Sequence, residues 1–210
     1  MSGIKGVLFD LDGVIFDTET MYSVFWSGID GIYHTGVDDF SAKIKGSNLA
    51  SILDTYFAKD VHGDIVRRLD DFQQNMKYVY FDGAKDFLTE LKKRGIPACL
   101  VTSSDQKKMQ SLYAQHPDFH SLFNAVITGE MVSKPKPDPE GYLNGAKEIG
   151  CDIIDCCIFE DSKNGVKAGR ASGAKVIGIA TTLPANEIMP YCNMVIGGLN
   201  EFSVDKLLTL

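Results

Sequence analysis

The chain has 210 residues, 44% of them hydrophobic and 23% charged, the make-up of a folded protein with room for a sizeable core. Its formal charge of −7 comes from 28 acidic against 21 basic residues with no long basic run, which argues against a nucleic-acid partner. No stretch approaches the roughly 20 apolar residues that span a bilayer, and Met1 to Lys5 leads straight into an apolar segment, so no membrane partner and a cytoplasmic location are expected.

Ile4 to Phe9, interrupted by Lys5 and Gly6, reads as a buried strand that ends in Asp10, Asp12 and Gly13. In open α/β sheets ligands gather outside the carboxyl ends of strands. Two carboxylates one residue apart there can divide phosphoryl transfer, one attacking while the other handles the leaving-group proton. Their mutual repulsion calls for a cation, and Mg2+ suits the oxygen donors. An acidic turn after a strand is the plainer reading of Asp-x-Asp-Gly taken alone.

Residues 17–82 read as helices over Thr20 to Ile29, Asp39 to Lys45, Leu49 to Phe57 and Asp64 to Tyr78, with Gly36, Gly46 and Gly63 at the joins. This is a helical insertion, and Trp26, Tyr33 and Tyr56 read better as its core than as a substrate pocket. The pattern then alternates. Ala84 to Arg94 is a helix that ends in cations before Gly95, and Ile96 to Val101 is a strand. Ser103 with Gln106 fits a capping box for the next helix. Ala125 to Ile127 is a strand, and Asp138-Pro139 opens a helix that runs to Gly150. Ile153 to Phe159 is a strand, and Asp161 or Ser162 caps the helix after it. Lys175 to Ala180 and Met194 to Ile196 add two more strands. Strands alternating with helices predict an α/β fold, a Rossmann-like doubly wound parallel sheet built from 1–16 and 83–210, with an α-helical cap of 17–82 inserted. Of the five cysteines, Cys99, Cys156 and Cys157 sit in apolar runs and read as small buried hydrophobes.

Three later features fall at the same kind of place as Asp10. Thr102 and Ser103 close a strand where a helix begins, which offers hydroxyls and free N–H groups to a phosphate or a plain helix cap. Lys134, in Ser-Lys-Pro-Lys-Pro-Asp after the third strand, reads by default as a solvated loop lysine but could neutralise a nucleophile and a phosphate, with Lys136 two residues on as the alternative. Glu160-Asp161 closes another strand with hard oxygen ligands.

In this order, Phe-Asp-Leu-Asp-Gly-Val-Ile-Phe-Asp-Thr-Glu (9–19), Thr102, Lys134-Pro-Lys-Pro-Asp and Phe-Glu-Asp-Ser (159–162) resemble the four motifs of the haloacid dehalogenase superfamily, nearest its β-phosphoglucomutase-like branch. The resemblance covers nearly the whole chain. It implies Asp10 as a nucleophile that becomes an aspartyl phosphate, and Asp12 as general acid and base that also lends its carbonyl to Mg2+. It further implies Thr102 and Ser103 as the phosphoryl cradle, Lys134 as the charge stabiliser, and Asp161 with Glu160 as metal ligands beside Asp10 and Asp12.

The β-phosphoglucomutases carry a histidine where Tyr22 stands and an arginine shortly after the glycine matching Gly46. The stretch here is Lys45-Gly46-Ser47-Asn48, where Lys45 offers a looser grip on a phosphate than a bidentate arginine. The expected function is therefore a Mg2+-dependent phosphohydrolase acting on a small phosphorylated metabolite, such as a sugar phosphate, as a monomer. A phosphosugar mutase and a non-catalytic binding protein on the same scaffold are the rivals.

Overall fold

The structure is a computed structural model and describes residues 3–45, 47 and 49–210. The Gly46 join and Asn48 therefore lie outside the described residues. Six strands form one parallel sheet: β1 (Gly6–Phe9), β2 (Ala98–Val101), β3 (Ala125–Ile127), β4 (Cys156–Glu160), β5 (Lys175–Ile179) and β6 (Met194–Ile196), in the order β3-β2-β1-β4-β5-β6. The order runs outward in one direction from β1 and in the other from β4, so the direction of winding reverses between them. The carboxyl ends of β1 and β4 therefore flank the crevice where such sheets bind ligands.

Two compact units divide the chain, one of Thr18–Lys77 and one of the residues up to Asp17 together with Tyr78–Leu210. The first is the predicted helical insertion. It holds α1 (Glu19–Tyr33), α2 (Phe40–Lys43), α3 (Leu49–Tyr56) and α4 (His62–Asn75). Trp26, Ile29, Phe40, Ile52 and Ile65 are its core, with Tyr33 and Tyr56 packed against them, so the aromatic residues are structural, as the helical spacing indicated. The division falls at Lys77–Tyr78 rather than at 82–83 for a local reason. Asp17 N donates to Val79 O at 2.9 Å, Phe81 N donates to Ile15 O at 2.9 Å, and Phe16 bridges to Tyr80, so 78–81 is tied to the end of the first motif.

The sheet unit adds α5 (Ala84–Lys93), α6 (Gln106–Gln115), α7 (Glu140–Glu148), α8 (Lys163–Ser172), α9 (Ala185–Ile188) and α10 (Val204–Leu208). Strands β1, β2 and β4 are buried at every residue, which requires the near-continuous apolar runs read in the sequence. On one face Phe9 stacks on Phe159 with ring centroids 5.1 Å apart, and Phe87 meets both edge-on. On the other, Leu8, Cys99, Val101, Ile158 and Tyr142 make a second core cluster. α7 lies close on that face because Gly145 carries no side chain; a Cβ there would stand 3.0 Å from Val101 and 3.1 Å from Cys99.

Local signals differ from expectation at two points, at α6 and β4, while at α8 the structure selects Ser162 of the two caps expected. The N-cap of α6 is Asp105, whose side chain accepts from Lys108 N, so the Ser103–Gln106 box does not form. Asp152 caps a 3-10 turn over Ile153–Asp155, which delays β4 to Cys156. Ser162 is the cap of α8, accepting from Gly165 N at 3.0 Å. All five cysteines are free, and burial pushes the Cys99 and Cys156 thiols up to about 12, so neither is a thiolate at neutral pH.

Ile158 is fully buried in the central strand. Ile158→Ala should lower the unfolding free energy by about 2–5 kcal/mol in urea titrations, through lost transfer energy and the cavity left behind. A loss below about 1 kcal/mol would contradict this packing.

Candidate active site

The carboxyl ends of β1, β2 and β4 contribute to one cluster. Asp10 follows β1 directly, and its amide donates to Phe159 O at 3.0 Å, which fixes the end of β1 to β4. The residue is 8% exposed. Gly13 turns the chain at φ +77°, a conformation that favours glycine. A Cβ on Gly13 would stand 2.0 Å from Asp161 Oδ2, so the missing side chain is what lets the end of β4 approach the Asp10–Asp12 loop.

The lysine in this cluster is Lys136. Its ammonium donates to Asp10 Oδ1 at 2.5 Å, Glu160 Oε1 at 2.7 Å and Val101 O at 3.1 Å, so each of its three protons has an acceptor. Lys134, the expected charge stabiliser, is 72% exposed in its side chain and lies 3.9 Å from Asp138. The two lysines are separated by one proline, and the chain turns between them so that only Lys136 faces inward. The backbone at 133 and 134 is held instead by Glu140, which accepts from both amides.

Glu160 differs from its expected role as a metal ligand. It is wholly buried; its Oε1 takes Lys136 and the Tyr142 hydroxyl at 2.9 Å, and its Oε2 takes the Asp161 amide and the Ser162 amide and hydroxyl. Both oxygens are engaged by donors of the core itself. Gly165 is required opposite them, since a Cβ there would overlap the carboxylate. Glu160 is the fixed counter-ion of Lys136, and Asp161, 3% exposed, is the neighbouring buried acid against Gly13.

Asp12 has a lysine of its own that the sequence did not reveal. Lys108, third in α6 and 7% exposed, donates to both Asp12 carboxylate oxygens at 2.7 Å, and Ser104 Oγ lies 3.1 Å from Oδ2. A lysine early in a helix reads as solvated; only the tertiary fold turns it inward. Thr102 is buried, its Oγ1 accepting from Ser104 N at 3.0 Å, and Ser103 follows it at the rim. Lys45 belongs to the helical unit. There it lines a cavity of about 230 Å³ with Glu19, Tyr22, Ser47 and Gln73, and Gln73 donates to the Tyr22 hydroxyl at 3.0 Å.

The charges divide unevenly. Burial is the largest influence on Asp10, outweighing the attraction of Lys136, and with repulsion from Glu160 and Asp12 it raises the carboxyl to about 7. The five donors hold Glu160 ionised, below its usual range, despite burial. Lys136 stays a cation because two carboxylates face it. Metal-free Asp10 is therefore the group with too little positive charge around it. Among the described residues no cluster of three or more His, Cys, Asp or Glu side chains could close around a metal alone. Asp10 and Asp161, brought together across Gly13, fit Mg2+, which takes one or two carboxylates and keeps several waters.

A parallel sheet with a carboxylate, a hydroxyl, a lysine and a second carboxylate on successive strand ends defines a phosphoryl-handling α/β hydrolase. The model of the haloacid dehalogenase-like hydrolase family matches residues 7–179, and the chain belongs to that family. It is 30% identical to hexitol phosphatase A of Escherichia coli strain K12, over 96% of this chain and 94% of that protein. It is 26% identical to the bifunctional riboflavin kinase/FMN phosphatase of Arabidopsis thaliana, over 95% of this chain but only 55% of that protein's length. The fold is shared with a family IA, variant 3 hydrolase from Entamoeba histolytica, at a TM-score of 0.82 and 24% identity over 98% of both chains. Within this family the chain is a phosphatase.

Two predictions follow from the charge arrangement. Lys136→Ala should lower phosphatase kcat/KM at least about a hundredfold, as loss of a buried charge partner does, while Lys134→Ala stays within about twofold. Equal losses would contradict the placement. Because Asp10 binds its proton more tightly folded than unfolded, the folded state holds more protons between the two pKa values, and stability falls as pH rises from about 4 to 7. Metal-free Asp10→Asn should therefore melt above the wild type at pH 8, and the gap should close on acidification. A wild type that melts higher at pH 8 would contradict the sign.

Proposed function

We propose that the protein is a Mg2+-dependent phosphohydrolase that acts through a phosphorylated Asp10 on a small phosphorylated metabolite, a sugar or polyol phosphate. The observation that carries this reading is Asp10 at the end of β1, held by a buried Lys136, with Asp161 at the end of the neighbouring β4 packed against Gly13. The polyol end of the range comes from the likeness to hexitol phosphatase A.

Asp10 and Asp161 would hold the metal with the carbonyl of Asp12. The metal when bound supplies positive charge that keeps Asp10 ionised at neutral pH and offsets the charge of the phosphoryl group. Asp10 Oδ2 attacks phosphorus in line with the ester oxygen. The P–O ester bond breaks as the new bond to Asp10 forms, and Asp12 gives its proton to the departing alkoxide. Thr102 and the amide of Ser103 bind the phosphoryl oxygens, and Lys136 balances charge that shifts from Asp10 to phosphate. Water then attacks the phosphoryl group and passes a proton back to Asp12. The P–O bond to Asp10 breaks, inorganic phosphate leaves, and Asp10 is restored. Ser104 and Lys108 hold the ionised Asp12 carboxylate in the free protein, and Asp12 gives up that pairing when it carries the proton.

Phosphate release measured across a panel of sugar, polyol, nucleotide and glycerol phosphates should be strong for the sugar and polyol group, abolished by EDTA and absent in Asp10→Asn. A sugar bisphosphate should not be needed. Turnover that continues in EDTA, or that appears only as isomerisation of a sugar phosphate after bisphosphate is added, would overturn the proposal.

A further inference from the structure

Thr182, in the turn after β5, buries a hydroxyl with no hydrogen-bond partner among the described residues. Native proteins keep few such groups, and each one points to a ligand, an ion or a water that completes it. The position of this one is defined by Gly13. The point where a Gly13 Cβ would stand lies 2.7 Å from Thr182 Oγ1 and 2.0 Å from Asp161 Oδ2, so both oxygens face the same side of the glycine. The neighbouring Thr181 hydroxyl donates to Gly13 O, which latches the turn after β5 to the loop that carries Asp12. Thr182 is thus the contribution of β5 to the carboxyl-end cluster, at the edge where Asp161 stands.

We infer that Thr182 is an outer-sphere partner of the metal: its hydroxyl receives a hydrogen bond from a water in the hydration shell of Mg2+ and so strengthens cation binding by Asp10 and Asp161. The inference rests on the magnesium reading above. Mg2+ gives up its waters reluctantly, and each retained water presents two protons that need acceptors. A threonine hydroxyl has two acceptor lone pairs and one proton, so it can accept from such a water and donate onward. Valine has the same shape without that capacity. Outer-shell partners of this kind typically change metal affinity by about 10–100-fold when removed.

The test is a calorimetric Mg2+ titration of the wild type, Thr182→Val and Thr182→Ser, paired with thermal melts of the metal-free proteins. We expect Thr182→Val to weaken Mg2+ binding about tenfold or more, Thr182→Ser to bind as the wild type does, and metal-free Thr182→Val to melt at or above the wild type. A valine variant with unchanged Mg2+ affinity would overturn the inference while leaving the magnesium reading in place. So would a metal-free valine variant that melts lower and a serine variant that binds as weakly, since both mark a packing role. A wild type that binds no Mg2+ would sink the magnesium reading, and the role of Thr182 with it.

Discussion

The site depends on one buried ammonium. Lys136 is 11% exposed in its side chain, and its attachment to Asp10, Glu160 and Val101 O joins the ends of three strands at a single nitrogen. A lone charge at that depth would be costly, so Lys136 needs a fixed carboxylate against it, which Glu160 supplies. The fold therefore commits further groups to it. Tyr142 from α7 donates to Glu160, Asp161 and Ser162 just before α8 offer two amides and a hydroxyl, and Gly165 leaves room for the carboxylate. The sheet order makes this possible, because β1 and β4 are neighbours although almost 150 residues separate them.

From that arrangement the chemistry follows by subtraction. Both Glu160 oxygens are already engaged by donors of the core. Asp10 shares its lysine with Glu160 and lies near Asp12, so burial raises it to about 7 and leaves it in need of a second cation. Asp161 is the acid placed to help bind one. In the proposed mechanism the same deficit would make Asp10 a reactive anion once a cation is present, since it is buried, fixed in direction and backed by a lysine. Asp12 is kept distinct by its own lysine, and two adjacent carboxylates with different partners can carry different roles.

Much of this was legible in the sequence because strand ends are legible. Asp10, Thr102 and Asp161 each close or follow an apolar run, and a parallel sheet sends all such ends to one edge. Lys136 was not, because Lys134 and Lys136 share the same local chemistry and the turn between them decides which faces the crevice. Its closeness to the start of α7, four residues before Glu140, was the available signal. Glu160 reads as a ligand from its position alone, and its burial emerges only when α7 and α8 pack on β4. Lys108 and Thr182 carry no sequence signal. One is a helix lysine and the other a turn threonine, and each acquires meaning from a partner more than 90 residues away.

The central claim is that Asp10 becomes covalently phosphorylated. Rapid acid quenching of the enzyme during turnover, followed by proteolysis and mass spectrometry, reads this directly. Phosphate on the peptide containing Asp10, labile to hydroxylamine and absent from Asp10→Asn, is the predicted result. Full turnover with no phosphopeptide at any quench time, or phosphate carried on a different residue, would contradict the account.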